Sequence, residues 1–309
     1  MLYLTTRNKA DSFTAHRVLH STAAPDGGQF MPMQLPVLED RQLAAFEQMS
    51  FSQIAAAMIN LFFGTSLTGW DVDFSVGRQA VTVTTAGHKV FVAETWHNLA
   101  GTYTYLVQRL YALACNEKAP RQKPSLWFEA VVNMAVLFAM HAQLCRQDIY
   151  EFDIAIESAD LQQLFAVRYA QKMGLPVGKI ILGSLPDDGL WEFTSHGEFA
   201  TGGKRISTGL ESLLWLEFGR DEAANYLRAA QKKSIYHLSQ PKTEQFRAGM
   251  FTSVVGQSRA ESVAKNVAAV CNYSMDVQTA RAFGALQDYR AKTGVNGNTL
   301  LLSLNAPAR

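Results

Sequence analysis

A chain of 309 residues can bury a sizeable core as one large or two smaller domains, and 48% hydrophobic with 18% charged residues is an ordinary globular balance. Its 28 basic and 27 acidic side chains leave a formal charge of +1 and are spread along the whole sequence, so neither nucleic acid nor an anionic membrane is indicated as a partner. Cys115, Cys145 and Cys271 show no C-x-x-C spacing, which fits buried, reduced thiols in a cytoplasmic protein better than a disulfide framework.

Met1 to Lys9 has no apolar stretch after a basic start, so it does not read as a secretory signal. The first ~30 residues combine a short apolar start with a turn at Ala24-Pro25-Asp26-Gly27-Gly28, where glycine supplies backbone freedom. Ser50-Phe51-Ser52-Gln53 is a Ser-x-x-Gln capping box that opens a helix, with Ile54, Met58, Leu61 and Phe62 at helical spacing. From Val72 to Phe91 the apolar residues alternate, at Val72, Phe74 and Val76, then Val81 and Val83, then Val90 and Val92, which predicts short strands broken at Gly77 and Gly87.

A helical period returns from Leu106 to Leu113. The polar, basic segment from Asn116 to Pro124 is interrupted twice by proline and reads as a linker. The apolar run from Ala130 to Cys145 contains Asn133, His141 and Gln143 and falls short of the ~20 residues of a membrane span, so it reads as a buried helix. Phe152 to Ile156 is a strand, Ala159 to Met173 a helix stopped by Gly174, and Lys179 to Gly183 a second strand. A strand, a helix and a strand in that order make a βαβ unit with a parallel sheet, an α/β signature. Helices are predicted at Gly209 to Glu217, Glu222 to Lys232, Ser258 to Cys271 and Thr279 to Thr293, and a last strand at Thr299 to Leu304. The division expected is an N-terminal subdomain over residues 1–80 and an α/β domain over 81–309.

Several segments resemble the threonine synthase family in the same order along the chain. Thr6-Arg7 and Ala24-Pro25-Asp26-Gly27-Gly28-Gln29-Phe30-Met31-Pro32 are similar to its opening S-T-R and A-P-D-G-G-L-Y-V-P. Tyr169-Ala170-Gln171-Lys172-Met173-Gly174-Leu175-Pro176 looks like Y-A-K-K-M-G-L-P. Tyr273-Ser274-Met275-Asp276-Val277-Gln278-Thr279-Ala280 is similar to Y-L-L-D-P-H-T-A, and Ala306-Pro307-Ala308-Arg309 to H-P-A-K. The segment from Glu94 to Tyr105 resembles E-L-F-H-G-P-T-L-A-F-K-D, whose lysine holds pyridoxal phosphate covalently. The resemblance implies the large domain of a fold-type II pyridoxal-phosphate enzyme, with the smaller domain largely deleted, since no S-G-D-T-G motif lies between the Leu106 and Ala130 helices.

The same resemblance implies a dismantled cofactor site. Thr104 stands at the lysine position, and a hydroxyl cannot form a Schiff base. The phosphate-binding loop G-N-F-G-N falls on Ala159, Asp160, Leu161, Gln162 and Gln163, without either glycine. Asp160 would cap the helix and repel a phosphate there. The threonine that faces the pyridine nitrogen falls on Leu304.

His97 is either a retained site residue or a polar residue at a strand-to-helix turn. Glu94, Glu157 and Asp160 are candidates for a carboxylate cluster, with capping and solvation as the alternative for each. Lys89, Lys172, Lys179 and Lys204 are the lysines to consider for a relocated cofactor, and Lys172 is explained by the helix C-terminal dipole. No grouping has metal-ligand spacing, and the adjacent Ser195 and His196 do not make a triad.

The expectation is a threonine-synthase-like pseudoenzyme without a cofactor, serving by binding a second copy, another protein such as an intact threonine synthase, or a small ligand. The alternative is a residual pyridoxal-phosphate-dependent lyase acting on O-phosphohomoserine.

Overall fold

The structure is a computed structural model that describes residues 1–8, 11–158, 161–201 and 207–307. In chain order the first elements are β1 (Leu2–Thr5), β2 (Phe13–Thr14), α1 (Ala15–Leu19), β3 (Phe30–Pro32), α2 (Asp40–Glu47), α3 (Phe51–Phe63) and α4 (Gly69–Val76). There follow β4 (Thr82–Gly87), β5 (Val90–Glu94), α5 (Tyr103–Ala114), α6 (Leu126–Cys145), β6 (Phe152–Glu157), α7 (Leu161–Lys172) and β7 (Val177–Ser184). The remainder comprises α8 (Leu190–His196), β8 (Glu198–Ala200), α9 (Thr208–Phe218), α10 (Arg220–Gln231), β9 (Ile235–His237) and α11 (Gln240–Arg247). The chain then runs through β10 (Met250–Val254), α12 (Gln257–Cys271), α13 (Val277–Thr293) and β11 (Thr299–Ser303).

These elements form two interleaved compact units, one of Met1–Val83, Glu94–Tyr150 and Phe165–Pro176, the other of Thr84–Ala93, Glu151–Leu164 and Val177–Arg309. A single cut at residues 80 and 81 does not describe this division, because chain that pairs into one sheet is drawn from three separated stretches.

The first unit is mainly helical. Ser50 caps α3 and Gln53 answers it, completing the capping box read from the sequence, and Gly64 at φ 68° ends the helix. The helix packs on α6, and Trp127 anchors an aromatic cluster with Tyr3, Phe62, Phe165 and Tyr169, with edge-on or tilted rings 5.2–6.1 Å apart. Tyr3 donates its hydroxyl to the Phe62 carbonyl at 2.5 Å and accepts from Trp127 Nε1 at 3.3 Å, so the buried polar tips of the cluster are paired. The Gly27 turn closes as expected, with φ 72° and its N–H donated to the Ala24 carbonyl at 2.9 Å.

Helix α6 begins four residues earlier than the apolar run suggested, at Leu126 under a Ser125 cap, and its 20 residues are long and apolar enough to cross a membrane. Yet 89% of its most apolar stretch is buried inside the protein, as in the core helix of a folded domain. Residues 115–125, between α5 and α6, contain neither helix nor strand.

The second unit is built on a six-stranded sheet in the order β10-β7-β6-β11-β5-β4. The strands β10 and β7, β7 and β6, and β6 and β11 pair in parallel, so the α/β reading holds. Two residues connect β4 to β5, and Lys89 there adopts φ 56°. Helix α13 lies across β6 and β7, and a Cβ at Gly183 would come within 2.7 Å of the Arg281 carbonyl, so glycine is what lets the two backbones approach. A smaller cluster holds β8 antiparallel to β9 and packs Phe193, Phe199, Tyr226, Tyr236 and Phe246 together.

Residues 72–76 are not a strand. Thr68 caps α4 and Asp71 completes its box, while Gly77 ends it, and these local signals outweigh the alternation of Val72, Phe74 and Val76. Cys145 is buried, but Cys115 and Cys271 are only half-buried.

Candidate functional site

Strand β5 delivers Glu94 at its C-terminal end, and the loop from Thr95 to Thr102 carries the chain into α5. Asn98 holds that loop in shape. Its amide donates to the Thr102 carbonyl at 2.9 Å and the Thr95 carbonyl at 3.4 Å, and its side-chain oxygen accepts from the Ala100 and Thr102 N–H groups. Gly101, at φ 66°, makes the final reversal, and Thr102 caps α5 by accepting from the Tyr105 N–H.

Within this frame Glu94 and His97 form a pair, with His97 Nε2 at 2.6 Å from Glu94 Oε2. The carboxylate is only 6% exposed and accepts a second, longer contact from the Thr82 hydroxyl at 3.4 Å. Because the carboxylate accepts, Nε2 carries the proton and Nδ1 is left as the ring's basic nitrogen. The imidazole is 36% exposed and tilted against the Trp96 ring, with centroids 4.2 Å apart. A buried carboxylate that fixes the tautomer of a partly exposed imidazole is an arrangement suited to proton transfer. The sequence offers Glu94 only as part of a carboxylate cluster. Its spacing of three residues from His97 was the signal for the pair.

Thr104 occupies the second position of α5 and is solvent-exposed. No amine is present there. Of the phosphate-loop positions, Ala159 and Asp160 lie outside the described residues. Leu161 and Gln162 are half-buried at the start of α7 and Gln163 is buried; Leu161 leaves no room for a Cβ on Gly209, whose nearest approach would be 2.6 Å. Leu304 follows β11 and is half-buried. Beside it, Ser303 donates to Asp276 at 3.2 Å, and Asp276 also caps α13 by accepting from the Gln278 and Thr279 N–H groups.

Of the three carboxylates considered for a cluster, Asp160 lies outside the described residues, and Glu94 and Glu157 lie in different units, each with a partner of its own. Glu157 ends β6 and pairs with Arg281, whose Nε donates to the Val255 carbonyl at 3.0 Å and whose Nη2 donates to Gln257 at 3.1 Å. Burial lowers the Arg281 guanidinium below its usual range. Near the ends of β6 and β7, Asp188 accepts from Ser158, from Ser184 at 2.7 Å and from the Leu185 and Leu190 N–H groups. Both arrangements are closed structural clamps.

Lys89 donates its amine to the Asn296 carbonyl at 3.3 Å, Lys172 sits in the last turn of α7, and the Lys179 N–H is bound by Asp153 at 2.7 Å. Lys204 lies outside the described residues. His196, next to Ser195, lies with its ring centroid 5.7 Å from that of Trp191. Among the described residues no three of His, Cys, Asp and Glu come together as a metal site.

Comparison with known proteins agrees with this architecture. Residues 2–76 match the family model of the threonine synthase N terminus. Threonine synthase-like 2 of Pongo abelii is 30% identical over 114 residues, which is 34% of this chain and 23% of that protein, and the Homo sapiens counterpart matches equally. The sequence match thus spans less than a quarter of those relatives.

Among solved structures, PLP-bound threonine synthase from Brucella melitensis superposes with a TM-score of 0.83 at 15% identity, covering 100% of this chain and 89% of that one. Yeast threonine synthase gives 0.83 at 13% identity over 99% and 87%, and the Escherichia coli enzyme 0.71 at 14% over 99% and 89%.

The Brucella melitensis structure overturns the expectation that no cofactor belongs here, since that neighbour holds pyridoxal phosphate and the fold points to it. What Thr104 excludes is narrower, a covalent link at that one position. The N-terminal region of this chain is thus similar in sequence to threonine synthases, and its whole length shares their fold.

Proposed function

We propose that this protein does not carry out the threonine synthase reaction and serves through binding, with pyridoxal phosphate as the cofactor its fold points to. The observation that carries the reading is Thr104. An exposed hydroxyl stands on the second position of α5, where the resemblance requires an amine. When bound, pyridoxal phosphate supplies an electron sink for amino-acid chemistry, and this chain's residue 104 contributes no covalent hold on it. By the resemblance, Glu94 and His97 would lie near such a group, and the paired imidazole could hold or pass a proton.

The test is turnover. Incubation with pyridoxal phosphate and O-phosphohomoserine is expected to release no phosphate above the protein-free control, and borohydride is expected to fix no pyridoxyl mass on a lysine. Release at a rate of about 1 per second, ordinary for an enzyme, would overturn the reading.

A second reading is favoured by one observation, the intact Glu94–His97 pair: a residual lyase using its imidazole as the proton carrier. Under that reading phosphate release is measurable and falls by about 100-fold or more in H97N, the usual weight of a general acid–base group.

A further inference from the structure

Strand β10 is one edge of the six-stranded sheet and pairs with β7. The Ile180 N–H donates to the Gly249 carbonyl and the Val255 N–H to the Ser184 carbonyl, both at 2.8 Å. A strand in a parallel pair bonds its neighbour through alternate residues, so Gly249, Phe251, Ser253 and Val255 face β7. Met250, Thr252 and Val254 therefore turn their N–H and C=O groups to the open edge, where no further strand among the described residues meets them.

Open edges ordinarily carry a charge, a proline or a bulge that keeps copies of a protein apart. Met250-Phe251-Thr252-Ser253-Val254 has neither charge nor proline, and its register with β7 is unbroken. A groove of about 620 Å³ runs beside it, lined by Trp191 of α8 and by Asp288, Ala291 and Lys292 of α13, so there is space along the strand.

The strand is its own complement. Laid antiparallel to itself about Thr252, it sets Thr252 opposite Thr252 of the second copy and Met250 opposite Val254. All three residues point outward, so each pair exchanges both backbone bonds and no outward group is left over. A slip of one residue would set outward groups against residues already committed to β7. On the α13 face the large Phe251 meets the small Ser253. The Lys292 amine lies 5.9 Å from the centre of the Phe251 ring, and Ser253 donates to Asp288. The two-fold thus brings Lys292 of each copy level with Asp288 of the other. Arg259 already holds Asp288, at 2.6 and 2.8 Å, so that contact is minor and the backbone carries the fit.

We infer that β10 pairs antiparallel with β10 of a second copy, joining two sheets into one across a two-fold axis at Thr252. A strand of 5 residues buries little, so the dimer is weak and reversible, with a Kd of about 1–100 μM. This goes beyond the loss of the reaction and stands whether or not turnover is found.

The test is sedimentation of the full chain across that range, which should show monomer passing to dimer and nothing larger, because pairing uses up the edge. The Thr252 N–H faces away from β7, so T252P takes no bond from the sheet and should weaken the dimer about tenfold or more with circular dichroism unchanged. T252A keeps the N–H and should dimerise within about twofold of the wild type. K292E should weaken the dimer about threefold at low salt and less at high salt. T252C should give a dimer cross-linked through residue 252 under mild oxidation, since Cα atoms of a hydrogen-bonded antiparallel pair lie ~5.5 Å apart, within disulfide reach. The wild type, with Cys115, Cys145 and Cys271 alone, should not cross-link. A monomer throughout, species larger than a dimer, or a dimer that T252P leaves intact would overturn the inference. Should T252P fail to fold, the T252C cross-link decides, and its absence overturns the inference.

Discussion

Two glutamates each end a strand and have opposite fates. Glu94, at the end of β5, holds an imidazole that still meets solvent; Glu157, at the end of β6, is matched to a buried guanidinium whose remaining nitrogens bond Val255 and Gln257. The first pair keeps a titratable nitrogen available. The second spends its charge on joining β6 to α13 and the start of α12. Chemical capacity and structural closure therefore reside in separate carboxylates, and substitutions should tell them apart.

The largest effect is expected at the closed pair. Arg281→Ala strands Glu157 and should cost about 3–5 kcal/mol in urea unfolding, while the apolar double variant E157L/R281M should recover most of it. If Arg281→Ala cost less than about 1 kcal/mol, the contrast between the two glutamates would fail.

At the open pair, Glu94→Ala should cost about 1–3 kcal/mol by removing a buried acceptor, and His97→Ala only about 0.5 kcal/mol because the ring is partly exposed. Acylation of His97 by diethylpyrocarbonate should be detectable by mass spectrometry in the wild type. Protection of His97 as complete as that of buried His141 would mean that the first pair is closed too.

A smaller effect should come with pH. His141 is buried beside Cys145, at 3.2 Å from its sulfur, and its Nε2 lies 3.1 Å from the Tyr150 carbonyl. Burial lowers its pKa, while the Tyr150 carbonyl and Glu47 act in the opposite direction. Since unfolded histidine titrates near ~6.5, the unfolded chain binds more protons below that pH. Stability is therefore full above ~6.5 and is lost as pH falls toward the lower folded value. The H141Q variant should flatten that slope in urea titrations between pH 7 and 5. An unchanged slope would show that another group carries it.

The smallest effect is expected of Thr104→Lys. At an exposed helix position it should shift stability by about 0.5 kcal/mol or less, yet it restores the amine. Borohydride fixation of pyridoxal phosphate at residue 104 in this variant, and not in the wild type, would show that the single side chain withholds the covalent link. No fixation would show that the surroundings no longer present the cofactor to α5.

What the sequence revealed was mostly local. Ser50 with Gln53, the stop at Gly174, and the strand–helix–strand run through β6, α7 and β7 all rest on contacts a few residues apart, and each is found close to where it was read. Helix α4 was misread because Phe74, which completes the alternation, faces solvent. The short strands β2, β8 and β9 gain their meaning only from partners elsewhere in the chain.

The site followed the same rule. Thr104 could be placed by resemblance, and the pairing of Glu94 with His97, three residues on, went unread; Glu157 and Arg281 meet across 124 positions that no local pattern connects.

Helix α6 has one consequence for handling the protein. It is a membrane-length apolar rod kept out of water only by its neighbours, α3 among them. Any variant that loosens this packing bares a surface with strong affinity for detergent, lipid or its own copies. Variants that loosen this packing should therefore lose soluble yield, which will report on the shielding of α6 as much as on activity.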